Sequence, residues 1–296
     1  MNTARTTTAE PSLNLGDRRR AQYDAFHAAR ARTDLATRLY AQAMGEDHPT
    51  EVAASGSCDM PLLGLMAARL RMRPGRLLVD AGCGTGGIGL WLARALALRL
   101  DGFDCSPIAV ARAGARRHAF LGAGADRALF RVAELEDTGL PDAAAGGIVC
   151  VDALGRACGR DAVLRELARV LAPGSRLLLT RSSRRGAEPA WWPQARSAGL
   201  EVEHVDERPD EPAMWERLYR LWITHADELR HELGETQTRN MLSEAHRMLP
   251  TLPDRRAVLL TLRRPATAPA TPGAADTMTG PRDPGNRDAS DERTPQ

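Results

Sequence analysis

Four carboxylates and one glycine-rich turn are the residues of this chain best placed to act on a ligand. The turn runs Val79-Asp80-Ala81-Gly82-Cys83-Gly84-Thr85-Gly86-Gly87-Ile88-Gly89. Glycines there admit positive φ and bring backbone close to a bound molecule. Free N–H groups at the start of a following helix attract an anion or a carboxylate. Gly84, Gly86 and Gly89 also fit GxGxxG, so the glycines alone leave the ligand open. The acids narrow it. Asp80, two residues ahead of Gly82, repels a pyrophosphate and suits an ammonium, met directly or through water. Asp104, 18 residues after Gly86, can accept both hydroxyls of a ribose, a device that nicotinamide sites share. Glu134 can accept from an adenine amine while Leu135 packs on the ring, with Glu136 and Asp137 as competitors in the same loop. Asp152 either touches cofactor or substrate or caps the turn of residues 153–159.

These acids need elements that carry them to one place. Short apolar runs at 76–80, 100–103, 129–132, 147–151 and 176–180 read as strands, alternating with helical patterns at 87–98, from 107 and at 161–171. Such alternation implies parallel βαβ units covered on both faces. All four acids then fall at carboxyl ends of strands, where open α/β sheets bind ligands. Residues 200–205 alternate apolar and polar, as a more exposed sixth strand would, and residues 257–262 form a seventh. Residues 212–248 read as one or two helices inserted before that last strand. The expected organisation is a disordered tail (1–18), an N-terminal helical lid (19–73), a core (74–264, insertion about 209–253) and a second disordered tail (265–296).

Composition sets outer bounds. The chain has 296 residues, 43% apolar and 26% charged, with a formal net charge of +2, which points to neither nucleic acid nor a membrane. The 40 basic residues are all arginine, so no lysine can form a Schiff base. Cys58, Cys83, Cys105, Cys150 and Cys158 show no CxxC spacing and read as reduced thiols of a cytoplasmic protein. No run reaches the ~20 apolar residues of a membrane span.

The succession VDAGCGTG, GFDCSP, RVAELEDTGLPD, VCVDAL and RVLAPGSRLLLT resembles the motifs of class I S-adenosylmethionine-dependent methyltransferases over residues 74–181. The resemblance implies a doubly wound α/β fold with a seven-stranded, mostly parallel sheet of order 3-2-1-4-5-7-6 and an antiparallel seventh strand. It implies S-adenosyl-L-methionine as cofactor. By motif, Asp80, Gly82, Gly84 and Gly86 bind its methionine part, with Cys83 and Cys105 in the same loops, Asp104 its ribose, and Glu134 with Leu135 its adenine. The family often has Asp where this chain has Glu134. The helical segments before the core and before the last strand resemble small-molecule methyltransferases of bacterial natural-product pathways, monomeric or homodimeric.

A general base is harder to read. His48, in the Gly45–Pro49 loop, Asp152, and His225 in the late insertion are the candidates, each weighed against an ordinary surface or capping role. Trp191, Trp192, Trp215 and Trp222 either line an apolar pocket or pack the core. No HxH or CxxC marks a metal site. The expected activity is metal-independent methyl transfer to O, N or C of a small molecule. The alternative is a cyclase or isomerase that binds the same cofactor without transferring its methyl; a nicotinamide oxidoreductase is a distant third.

Overall fold

The computed structural model describes residues 15–157 and 159–266. The expected tails therefore lie outside the described residues over 1–14 and 267–296. Helix α1 (Leu15–Ala31) already includes the end of the first expected tail, and α2 (Leu35–Met44) and α3 (Met60–Leu70) follow it.

The core alternates as β1 (Leu77–Ala81), α4 (Gly87–Ala95), β2 (Arg99–Asp104), α5 (Pro107–Leu121), β3 (Ala128–Val132), β4 (Ala145–Cys150), α6 (Arg160–Val170) and β5 (Leu171–Arg184). It continues through α7 (Trp191–Ser197), β6 (Glu201–Glu207), α8 (Glu211–Thr224), α9 (Ala226–Leu233), α10 (Glu235–Met248) and β7 (Arg255–Arg263). The seven strands lie in the order β3-β2-β1-β4-β5-β7-β6, with β7 antiparallel to both neighbours. This is the expected sheet.

Period-two alternation explains why both faces are covered. Val79, Ile148, Leu177, Leu179, Val258 and Leu260 pack against α6 and α7. Their neighbours Leu78, Val149, Leu178 and Leu259 pack against α3 and α4, with Leu62, Leu63, Met66 and Leu70 of α3 fully buried. A third cluster joins α2 to α8, α9 and α10 through residues such as Leu39, Tyr40, Leu218, Trp222, Leu233 and Met241. It roofs the carboxyl ends of the strands.

Three elements depart from expectation. Strand β5 runs 14 residues, because β7 pairs with it from Arg176↔Arg263 to Arg184↔Arg255. Its outer half, Arg181-Ser182-Ser183-Arg184, has no apolar signal; the partner strand holds it. The late insertion is three helices, broken at His225 and at Gly234, where φ is 86°. Helix α7 was not foreseen at all.

Candidate functional site

The parallel register levels the strand tips. Ala81 pairs with Phe103, Phe103 with Arg131, and Asp80 with Val149. The loops after β1, β2, β3 and β4 thus leave the sheet side by side. They open into a cavity of about 800 Å³, roofed by α1, α8 and α10.

The glycine turn forms one wall through Gly82, Cys83, Gly84, Thr85 and Gly87. Gly82 has φ 74°, and a Cβ there would lie 2.5 Å from Ala153 Cβ, so the β1 and β4 loops touch backbone to side chain. Gly86 lies outside the wall. Its φ is 75°, and a Cβ would meet Ala113 and Phe130 at 2.8 Å, so it sets helix packing rather than ligand contact. Asp80 is also outside the wall. It is 2% exposed, on the Leu78 face of β1, and Oδ2 accepts the Gly89 N–H at 3.0 Å. Burial pushes its carboxyl up to about 7, with Asp104 adding to the rise and the Gly89 bond opposing it. Asp80 thus braces the turn from beneath, where the sequence reading had it facing a ligand amine.

Asp104 is in the wall. Oδ2 accepts from Gly84 N and Oδ1 from Ser106 N, both at 2.9 Å, which ties the β1 and β2 loops together. Ser106, not Asp104, caps α5 by accepting from Ala109 N at 3.2 Å. Cys83 and Cys105 line the same region; burial first, then nearby carboxylates, pushes Cys105 up to about 12 and Cys83 well above its ordinary value. Both thiols stay protonated and unreactive.

Glu134 and Leu135 line the wall beyond β3. Arg19 of α1 donates to Glu134 Oε2 at 2.6 Å, Arg20 reaches Oε1 at 3.3 Å, and Arg19 also pairs with Glu136 at 3.4 Å. An amine arriving at Glu134 shares it with Arg19. Asp152, in the wall after β4, holds φ 55°. Its Oδ2 accepts from Ser57 N at 2.6 Å, and its Oδ1 accepts from Ser57 Oγ at 3.1 Å and from Thr180 Oγ1 at 2.9 Å. Arg208 in turn donates to Ser57 Oγ at 2.9 Å and to Asp59 Oδ2 at 2.9 Å. Asp152 is thus a clasp that holds the 52–58 segment over the tips of β4 and β5.

The two histidine candidates do not reach the cavity wall. His48 contacts Met44 Sδ at 3.5 Å, and His225 pairs with Glu228 at 3.0 Å at the α8–α9 break. The sequence reading missed His27. It is 7% exposed, lies in the wall near Gly84, and burial holds it down at about 4 although Asp104 favours its charged form. Trp215 and Trp222 do line the cavity, with Tyr40 and Tyr219 stacked or edge-on between them. Trp191 packs beneath the sheet and Trp192 is exposed. Many other unforeseen wall residues lie on helical faces: Arg19, Tyr23, Phe26 and Arg30 on α1, and Gln237, Asn240, Met241, Glu244 and Met248 on α10. Their spacing of three and four residues was the available signal. Among the described residues, no three His, Cys, Asp or Glu side chains gather into a metal-ligand cluster.

A doubly wound sheet with an antiparallel seventh strand, and a glycine turn facing an acid across β1 and β2, defines the class I methyltransferase fold. Residues 78–174 match the family described as a methyltransferase domain, so the chain carries such a domain. It is 31% identical over 158 residues to 27-O-demethylrifamycin SV methyltransferase of Amycolatopsis mediterranei (strain S699), covering 53% of this chain and 55% of that protein. It is 28% identical over 191 residues to an O-methyltransferase of Pyrenophora dematioidea, covering 64% of this chain and 63% of that protein. The chain thus spans between half and two thirds of the length of these two relatives. In fold it resembles the [4+2]-cyclase SpnF (TM-score 0.61, 24% identity, 70% of this chain and 80% of that one). It also resembles phosphoethanolamine N-methyltransferase 2 of Haemonchus contortus, solved with S-adenosyl-L-methionine (TM-score 0.60, 16% identity, 82% of this chain and 60% of that one).

Proposed function

We propose that this chain is an S-adenosylmethionine-dependent methyltransferase that moves a methyl group to an oxygen, nitrogen or carbon of a small molecule. The observation that carries the reading is the convergence of the Gly82–Gly84 backbone, Asp104, Leu135 and Asp152 on one roofed cavity. A Cβ at Gly82 would collide with Ala153, so this turn is shaped for close backbone approach. Both Asp104 oxygens are fixed by backbone N–H groups yet keep lone pairs for ribose hydroxyls. These residues fit a nucleoside with an amino-acid arm. The curated relatives' names favour an oxygen acceptor.

Bound there, the sulfonium supplies an electrophilic methyl. The chain's own work is positional: hold the acceptor in line, hold the 52–58 segment closed through Asp152, and keep water out. Three donors already occupy the Asp152 carboxylate, which makes it a poor proton acceptor by geometry. His27 is neutral at pH 7 and sits beside Asp104, at the nucleoside end. Catalysis therefore rests on alignment and desolvation more than on a dedicated base. We also read the enzyme as cytoplasmic: Cys58, Cys83, Cys105 and Cys150 are free thiols. No described helix is long and apolar enough to cross a membrane.

Calorimetry with S-adenosylhomocysteine on the parent and on Asp104→Ala tests the reading. Binding is expected in the parent and at least about tenfold weaker in the variant, the worth of a charge-assisted bond. No heat from the parent would sink the proposal. Methyl-labelled donor separates transfer from cyclisation: product formed without label favours the cyclase.

A further inference from the structure

Three arginines of the cavity wall are held by carboxylates. Arg19 pairs with Glu134, Arg208 with Asp59, and Arg255 with Glu211 at 2.7 Å. Others differ: on α10, Arg247 donates to Met248 Sδ at 3.3 Å. Arg181, half-buried in the outer part of β5, donates to the neutral Gln194 Oε1 at 3.1 Å. Arg160, the exposed first residue of α6, donates only a long bond of 3.4 Å to Gly155 O. Neither Arg181 nor Arg160 has a carboxylate ion-pair partner among the described residues, and both line the cavity. Burial first and then the charge of Arg160 lower Arg181, while Cys150 and Asp161 oppose them. A cation at a helix start also opposes the helix dipole, and Gly159 offers α6 no side-chain cap. Two guanidiniums in one cavity wall, neither in an ion pair, can both take an anionic ligand.

We propose that Arg160 and Arg181 form a carboxylate-binding site in this cavity, so that a ligand seated against them carries an acid group. The proposal rests on the methyltransferase reading for its ligands but not for its electrostatics. Two carboxylates are available: one on the acceptor, and one on the amino-acid arm of the donor. The acceptor's apolar body would then lie on Trp215, Tyr219 and Trp222 of α8, across the same cavity.

The test uses four probes at constant ionic strength on the parent, Arg160→Gln and Arg181→Gln. Benzoate and its neutral isostere benzamide are titrated into protein saturated with S-adenosylhomocysteine. S-adenosylhomocysteine and 5′-methylthioadenosine, which lacks the amino-acid arm, are titrated into free protein. Benzoate bound about tenfold or more tightly than benzamide by the parent, with the preference lost in either variant, supports an acceptor carboxylate. S-adenosylhomocysteine weakened about tenfold in the variants while methylthioadenosine is unchanged supports the same site and assigns it to the donor. If the variants alter neither preference, the site does not exist. A parent that binds no nucleoside refutes the methyltransferase reading. Its benzoate preference, and the loss of that preference in Arg160→Gln, still decide the anion site. Arg160 is exposed at a helix start, so this variant keeps the fold even where Arg181→Gln does not.

Discussion

Asp80 and His27 carry opposite pH dependences of stability, and the two should nearly cancel. Burial raises Asp80 from 3.8 to about 7, so the fold prefers its neutral form. Its stabilising contribution is complete below pH 3.8 and is lost as pH rises through 7. Burial lowers His27 from 6.5 to about 4, so the fold prefers neutral imidazole. Its contribution is complete above pH 6.5 and is lost as pH falls through 4. At 1.36 kcal/mol per pKa unit, the full swings are about 4 kcal/mol for Asp80 and about 3 kcal/mol for His27. Between pH 4.5 and 6.5 each group changes stability by about 2 kcal/mol, in opposite directions. The neutral near-isosteres Asp80→Asn and His27→Gln remove one slope each. An Asn Oδ1 can still accept the Gly89 N–H. Urea unfolding of the ligand-free protein across this window should show Asp80→Asn gaining about 2 kcal/mol relative to the parent as pH rises, and His27→Gln losing about as much. The carboxylates common to all three proteins drop out of the comparison. Variants whose profiles track the parent within about 0.5 kcal/mol would show that neither buried group carries the shift, and the argument from burial would fail.

Other substitutions test the architecture. Gly86→Ala should cost about 2–4 kcal/mol in denaturant unfolding, because its Cβ would sit 2.8 Å from Ala113 and Phe130 at φ 75°. Gly82→Ala should instead weaken S-adenosylhomocysteine in calorimetry, since the added methyl forces apart the β1 and β4 loops that face the cavity. Arg19→Ala removes the ion pairs of α1 to Glu134 and Glu136, so limited proteolysis should cut within α1 faster than in the parent. Asp152→Ala leaves Ser57 N and Oγ without their carboxylate, with an expected loss of about 2–3 kcal/mol.

Much of the sheet was legible because burial on both faces forces short apolar runs, residues 77–79 in β1, 148–150 in β4 and 177–179 in β5. The polar half of β5 was not, since pairing with β7 rather than composition extends it. The count of late helices was hidden because His225 and Gly234 break a periodic pattern that itself continues. Within the site, the acids at strand ends were visible, but their orientations were not weighed. The alternation that sends Leu78 toward α3 and α4 sends Asp80 the same way, under the glycine turn rather than into the cavity. That inference needed only the period of a strand.

The roof was missed for a different reason. Hydrophobic periodicity assumes one interior, so polar positions on a helix are taken as solvent-facing. Helix α10 has two interiors. Met241 and Ala245 pack in the apolar cluster with α2 and α8, while Gln237, Asn240, Glu244 and Arg247 turn a polar stripe toward the cavity. Helix α1 does the same with Arg19, Gln22, Tyr23, His27 and Arg30. A stripe of polar and aromatic residues at helical spacing, flanking an apolar stripe, is therefore the sequence mark of a helix that closes over a ligand. In this chain both such helices lie outside the 78–174 segment that matches the methyltransferase domain. The matched core supplies the strand tips at the base of the cavity; the helices on either side of it supply the roof.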